Sequence, residues 1–404
     1  MTRSPRPPPP VRTEEITALG ALAGDAAGGL TQRVSETHDA IAQRTFDVIG
    51  PASLPVELVH DGIARALYGA VGRFSRHGIR AAAAVIGAAV SAEAPALEER
   101  AGGRWALAAL GGVTGDRLHA AGSALEVRMT LRRDGRPIEP VREVLAASYP
   151  DATPRLALLV HGLGQTEAAW SRGEGGALYG RRLRELGITP LFVRHNSGRS
   201  IAENGRELAD LIERILEAWP VVVGDITLIG HALGALVCHS AGEAASDRAW
   251  AEKLRHVIAL GAPHRGTALE KLVRSAVTGL NLLPETRAAG RALELRSAGL
   301  KEAGRGREGS FLPHARYLFI SGSVLRDPER GVGRWLGDLL VSRDSAWAHP
   351  GDGTPVRFPV DSYRHIGGVG HFALTRHPLV AAQMCDWLAG GPLHVLAGAL
   401  PPGR

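Results

Sequence analysis

Three segments of the sequence place residues that could act on a carbonyl group directly after short apolar runs. They are His161-Gly162-Leu163-Gly164, Gly230-His231-Ala232-Leu233-Gly234 and Gly367-Gly368-Val369-Gly370-His371. A tight glycine turn after a strand leaves backbone N–H groups free, and a histidine in such a turn can serve as a general base. The three segments together therefore indicate a site for acyl-transfer chemistry at the ends of strands.

The segment Gly230–Gly234 has the Gly-x-x-x-Gly frame of a nucleophile elbow. In such an elbow a strand bends sharply into a helix and lifts a central nucleophile above the sheet. The flanking glycines are needed because the neighbouring backbone lies too close for side chains. The central residue here is Ala232. A methyl group cannot attack a carbonyl, so the sequence predicts an elbow without its nucleophile.

The elements around these segments predict an α/β fold. Short apolar runs alternate with helical patterns from residue 155 onward, and an apolar–polar alternation followed by Asp134-Gly135 predicts a hairpin before them. Near-continuous apolar strands between helices are typical of a mostly parallel, doubly wound sheet, whose ligand lies beyond the carboxyl ends of the strands. The predicted strands are Leu125–Leu131, Leu156–Val160, Pro190–Val193, Ile226–Ile229, Val257–Leu260 and Tyr317–Ile320, and the predicted helices cover about 203–218, 233–245 and 376–389.

The first part of the chain predicts helices without a chemical motif. We expect a disordered Pro- and Arg-rich tail over 1–12 and a helical extension over 13–122. The apolar stripe of this extension favours packing against the main domain, with a membrane-surface or partner-binding role as the alternative. The stripe consists of Val59, Ile63, Leu67, Val71 and Phe74. We expect the α/β domain over 123–395, a helical cap or lid insertion over about 265–312, and a tail over 396–404.

Taken together, the motifs resemble those of the α/β-hydrolase superfamily. More narrowly, they are similar to the bacterial esterase and lipase group whose core is like the GPI inositol-deacylase hydrolase domain. The resemblance covers about residues 150–390 and implies the α/β-hydrolase fold. The matching segments are His161–Trp170, Arg194–Arg199, Glu203–Gly205, the elbow, Gly261–Gly266, Gly337–Val341 and Gly370–Phe372.

The resemblance also implies roles for individual residues. Relatives have serine where Ala232 stands, and Asp338 and His371 match the catalytic acid and the catalytic histidine of the triad. The backbone N–H groups of Leu163 and Leu233 match the oxyanion hole, and His161, Gly162 and His231 match positions around the bound substrate. Asp352 and Asp361 are rivals for the acid, as His365 and His377 are for the histidine. Cys238, on the helix after the elbow, is expected to be a buried residue rather than a substitute nucleophile.

The predicted function is that of an ester or lipid hydrolase scaffold, an esterase or lipase, which is inactive as written. Loss of a triad nucleophile lowers the rate on the order of a million-fold. Ala232 is either an engineered replacement or a natural loss. The alternative function is a natural pseudo-hydrolase that binds a lipid or a protein, so whether the chain is an enzyme stays open.

Composition narrows the class of partner. The chain of 404 residues has 47 basic and 41 acidic residues, a net charge of +6. Lysine occurs only at Lys253, Lys271 and Lys301, and the scattered arginines favour coding bias over a nucleic-acid surface. No metal or nucleotide motif is visible, so no cofactor or metal is predicted. The two cysteines and the absence of a signal-peptide pattern favour a cytoplasmic protein, with peripheral membrane contact left open.

Overall fold

The computed structural model describes residues 11–89, 96–171, 178–264, 277–278, 280–282, 284–305, 312–324, 341 and 360–390. The chain divides into two compact units. One comprises Met1–Arg104, Ala120–Leu125 and Leu272–Arg296, and the other Trp105–His119, Glu126–Lys271 and Ser297–Arg404. The predicted domain boundaries stay predictions, and much of the predicted cap over 265–312 lies outside the described residues.

The second unit is built on one sheet with the strand order β2-β1-β4-β3-β5-β6-β7-β8. β1 is antiparallel to β2 and β4, and the other neighbouring pairs are parallel. The prediction of a mostly parallel α/β sheet is therefore confirmed. The strands are β1 Thr130–Arg133, β2 Arg136–Ile138, β3 Arg155–Val160, β4 Thr189–Arg194, β5 Asp225–His231, β6 Leu254–Leu260, β7 Arg316–Ser323 and β8 Val360–Gly367.

The hairpin at the start of the sheet is shorter than predicted. A strand over Leu125–Leu131 was expected, but β1 begins at Thr130, which pairs with Arg194, the last residue of β4. Residues before Thr130 therefore have no partner on β4. The predicted turn is present: Asp134 and Gly135 both have positive φ, at 51° and 80°, as a two-residue hairpin turn requires.

Alternate strand residues point to opposite sides of the sheet. Both faces are apolar, and helices cover each of them. Leu156 and Leu158 of β3 pack on one face, whereas Ala157 and Leu159 pack on the other. The helices are α1 Val11–Ile49, α2 Leu54–Ala89, α3 Ala101–Ala120, α4 Arg142–Ser148, α5 Leu178–Glu185, α6 Ile201–Ala218, α7 Leu233–Ala244, α8 Pro284–Glu294, α9 Ala298–Arg305 and α10 Pro378–Leu388. Helices α6 and α7 lie on the first face, and α5 and α10 on the second.

The two cysteines lie on opposite faces of the sheet. Cys238 belongs to the core under α6 and α7, and Cys385 to the core under α5 and α10. Both are free and buried. Burial raises the pKa of the Cys238 thiol, which disfavours the thiolate that a nucleophile needs.

The first unit contains the long helices α1 and α2, which pack closely against each other. A Cβ atom added at Gly20 would lie 1.9 Å from the Cβ of Ala83. The apolar stripe of α2 is largely exposed, with Ile63 at 63%, Leu67 at 58% and Phe74 at 81%. Its periodicity correctly predicts a helix, but α1 does not cover the stripe. Within the described residues, no helix is both long and apolar enough to cross a bilayer.

Candidate active site

The turn between β5 and α7 holds Ala232 in a strained backbone conformation, with φ 49° and ψ −119°. Among the described residues, Ala232 and Asp134 are the non-glycine residues with positive φ. A Cβ atom at Gly230 would lie 2.3 Å from the Cα of Ala235, and one at Gly234 would lie 2.4 Å from the carbonyl oxygen of His161. Both glycines are thus required by close approach, and the turn has the sharp geometry of an elbow.

Because the backbone of Ala232 is strained, glycine at this position and glycine at Ala235 should change the free energy of unfolding in opposite directions. We expect Ala232→Gly to raise the free energy of unfolding by about 1 kcal/mol, because glycine adopts positive φ without strain. We expect Ala235→Gly, inside α7, to lower it by about 1 kcal/mol or more. Urea unfolding of both variants measures the difference, and a loss of stability in Ala232→Gly as large as in Ala235→Gly would show that the elbow is unstrained.

The loop after β3 lies against the elbow. A Cβ atom at Gly162 would lie 3.2 Å from the Cβ of Ala232 and 3.0 Å from Nδ1 of His231. Leu163 follows in the same loop and packs with Leu233 in one apolar cluster. The N–H of Leu233 opens α7 and has no acceptor within the helix. The two residues predicted for the oxyanion hole thus belong to the same apolar cluster, and their role stays a prediction.

His231 connects the three loops of the site. Its Nδ1 lies 3.0 Å from Oε1 of Gln165, which also accepts a hydrogen bond from the N–H of Gly162 at 2.9 Å. Its Nε2 lies 3.1 Å from the backbone oxygen of His371, and the two rings are 4.7 Å apart. Burial and the charge of His371 hold the pKa of His231 well below its usual value. A buried imidazole thus joins the elbow to the loops after β3 and β8.

His371 is buried and opens a short 3-10 helix after β8. The loop before it is fixed to β7, because the N–H of Val369 donates to the backbone oxygen of Ser323 at 2.8 Å. A Cβ atom at Gly322 would lie 2.3 Å from the backbone oxygen of Val369. The close approach of β7 to this loop determines where His371 lies beside the elbow.

The rival histidines lie among the described residues, whereas the predicted acid does not. Asp338 and its rival Asp352 lie outside the described residues, as does the side chain of Asp361. His365 lies within β8, with its two ring nitrogens 2.8 Å from Oγ of Ser321 and 3.1 Å from Oγ of Ser323. His377 occupies the N-cap position of α10, where its side chain makes no capping hydrogen bond. Among the described residues, no cluster could hold a metal ion.

His161 fixes the start of the loop after β3. Its Nδ1–H donates to the backbone oxygen of Gly162 at 2.9 Å, and its Nε2 accepts from the backbone N–H of His195 at 3.2 Å. The rings of His161 and His195 stack with their centroids 4.2 Å apart. Burial lowers the pKa of His161 to about 4, so the ring is neutral at pH 7. These contacts use both ring nitrogens of His161 for the backbone.

A buried ion pair joins the segment after β3 to the end of β4 and was not predicted as one. Arg194 donates from Nε to Oε2 of Glu167 at 2.7 Å and from Nη2 to Oε1 at 2.6 Å. The side chains are 3% and 7% exposed, so the bidentate pair is shielded from water. In the sequence, both residues stand out only as members of the segments His161–Trp170 and Arg194–Arg199. Their charges next to apolar strands were the available signal.

His264, which follows β6, gives the site region a pH dependence of stability. Its ring stacks on His239 and meets Phe319 edge to face, at 5.0 and 4.8 Å between centroids. Burial lowers its pKa to about 3. The unfolded chain, with a pKa near 6.5, takes up this proton first as the pH falls. The contribution of neutral His264 is therefore complete above about pH 6.5 and is lost progressively towards pH 3.

The variant His264→Phe should flatten this pH dependence. When the pH is lowered from 7.5 to 4.5, the free energy of unfolding should decrease for both proteins. We expect the decrease to be on the order of 2 kcal/mol larger for the parent chain than for His264→Phe. Urea unfolding at both pH values measures this. The control is His314→Phe, which makes the same substitution at an exposed position. Parallel curves for His264→Phe and the parent would contradict the buried neutral ring.

Comparison with known proteins adds little to this geometry. No family model and no curated protein matches the chain. Among solved structures, it is similar to the lipase BlEst2 of Bacillus licheniformis in its mature form, with 20% identity, a TM-score of 0.41, and coverage of 59% of this chain and 92% of that one. It is also similar to the RedJ thioesterase of Streptomyces coelicolor, with 18% identity and a TM-score of 0.37. That match covers 60% of this chain and 92% of that one. The similarity to the Pyrococcus furiosus esterase Pf2001 has 13% identity and a TM-score of 0.36. It covers 60% of this chain and 85% of that one.

Similarity at this level gives no information on the substrate of the chain. The fold is established by features of the chain itself: the strand order, the helices on both faces and the elbow between β5 and α7. These are the features of the α/β-hydrolase fold, and Ala232 lies at the turn between β5 and α7.

Proposed function

We propose that the chain is a serine-type ester or lipid hydrolase scaffold whose nucleophile position is occupied by Ala232. The observation that carries the proposal is the conformation of this alanine. Ala232 has positive φ at the tip of the elbow and is 8% exposed. It lies next to Gly162 and directly follows His231, which contacts His371. Strained residues of this kind cluster at active sites, where the surrounding structure determines them.

The parts of the site have complementary roles in this proposal. With a hydroxyl at position 232, His371 would accept its proton, and the oxygen would attack the carbonyl carbon of an ester. The N–H groups of Leu163 and Leu233 would hold the oxyanion, and Asp338 would orient the imidazole. His371 would then donate the proton to the leaving alcohol. His231 and Gln165 would keep the three loops in register.

As it stands, the chain would bind an ester without forming an acyl-enzyme. The oxyanion donors are backbone N–H groups, so alanine at position 232 does not remove them. This is why a binding module on a hydrolase scaffold is the second candidate function. The ligand of the first candidate is an ester or lipid, and that of the second is a lipid or a protein.

The experiment that tests the proposal is a chain-length series of p-nitrophenyl esters, from acetate to palmitate, with Ala232→Ser. We expect saturable turnover at one or more chain lengths, and we expect the parent chain to bind the preferred ester without turnover. Preference for a long acyl chain would indicate a lipid hydrolase, and preference for a short one an esterase. A folded Ala232→Ser variant that hydrolyses none of the esters would overturn the proposal.

A further inference from the structure

A cavity of about 310 Å³ lies at the opposite edge of the sheet from Ala232. It lies where β3 and β4 begin, with Thr153 and Thr189 in its lining, whereas Ala232 follows the end of β5. The lining residues all belong to the second compact unit and are all described. The cavity is therefore separate from the proposed active site and independent of its chemistry.

Two arginines give this cavity an excess of positive charge. Arg133 lies over the ring of Tyr149, 5.0 Å from its centroid, and its ion-pair partner Asp134 is 3.8 Å away with a side chain 94% exposed. Arg184 lines the cavity from α5, and the described residues offer it no ion pair. Asp151 is the one carboxylate of the lining. The lining thus contains two guanidinium groups and one carboxylate.

Tyr149 adds a hydrogen-bond donor to the lining of the cavity. Its ring is buried against Trp219, with 5.2 Å between centroids, and burial raises its pKa to about 12. The phenol therefore keeps its proton at neutral pH. Within the described part of the chain, its hydroxyl has no hydrogen-bond partner. By contrast, the hydroxyls of Thr153 and Thr189 lie 3.0 Å apart and bond to each other.

We propose that this cavity binds a phosphate monoester. Two guanidinium forks and a phenol supply more donors than the two oxygens of a carboxylate can accept, and they match the three terminal oxygens of a phosphate. The volume exceeds that of a bare phosphate and falls in the range of small-molecule sites. Ile188 and Pro190 provide apolar wall for the organic part of the ligand.

Phenyl phosphate is the probe, and calorimetric titration of the full chain at low salt is the measurement. We expect a dissociation constant below about 1 mM, in the range of weak but specific small-ligand binding. Arg184→Gln, an exposed change that leaves the core intact, should weaken binding at least tenfold, and R133Q/R184Q should abolish it. Tyr149→Phe should weaken binding several-fold, because it removes one donor and keeps the ring.

The matched control is R136Q/R181Q, which removes the same charge from arginines outside the cavity. This control should bind phenyl phosphate as the parent does. Benzoate and inorganic phosphate complete the series, and both should bind more weakly than phenyl phosphate. The proposal is overturned if the parent does not bind phenyl phosphate, or if the control loses as much affinity as R133Q/R184Q. Equal affinity for benzoate would overturn the assignment to a phosphate.

Discussion

Ala232→Ser is expected to raise kcat for an activated ester by a factor on the order of 10⁴ or more over the parent chain. The reason is that, in the proposed site, one hydroxyl at position 232 would supply the missing nucleophile. The elbow has its strained turn, Gly162 leaves room beside it, and the His371 loop is held by contacts with His231 and β7. The measurement is initial-rate hydrolysis of the preferred p-nitrophenyl ester at saturating concentration.

Two variants show whether the gain belongs to the proposed site. Ala232→Ser combined with His371→Ala should return to the parental rate, because the hydroxyl loses its base. Ala235→Ser makes the same chemical change one turn further along, on a fully buried residue of α7, and should give no gain. If the double variant is as active as Ala232→Ser alone, His371 is not the base.

Glu167→Ala should lower the free energy of unfolding by about 3–5 kcal/mol, the largest stability effect that we expect in the chain. The change leaves the buried guanidinium of Arg194 without its bidentate partner. The exposed pair Arg182–Glu185 is the matched control, and Glu185→Ala should cost less than about 1 kcal/mol. Urea unfolding measures both. A cost at Glu167 no greater than at Glu185 would contradict the shielded ion pair.

The same pair has a predictable response to acid. Burial would raise the pKa of Glu167, but the hydrogen bonds and charge of Arg194 outweigh this and hold it below its usual value. The stabilisation is therefore complete above the unfolded pKa of a glutamate, near 4.3, and is lost as the pH falls below it. In Glu167→Met combined with Arg194→Met, we expect most of the lost stability to return, because no charge stays buried alone.

The sequence predicts the central sheet well because buried parallel strands are apolar runs. The strands β3 to β7 were all predicted within a few residues. β8 was missed because its sequence, Val360-Asp361-Ser362-Tyr363-Arg364-His365-Ile366-Gly367, contains no apolar run. It is an edge strand paired only with β7 in the described sheet, so fewer of its side chains need to be apolar.

The elbow could be predicted, but the contacts around it could not. Its signal is local, since two glycines four positions apart bracket the turn. The pairing of Glu167 with Arg194 spans 27 residues and depends on how β3 and β4 align. The contact of His231 with His371 spans 140 residues. Periodicity likewise predicted the apolar stripe of α2 and could not show that the stripe is exposed within its unit.

The most direct test of the central claim is the intact mass of the protein after treatment with a fluorophosphonate. A serine activated by His371 attacks the phosphorus, forms an O–P bond and expels fluoride. We predict one adduct on Ala232→Ser, located at position 232 by peptide mass, and none on the parent chain. Absence of an adduct on folded Ala232→Ser would contradict the account, as would an equal adduct on the parent chain.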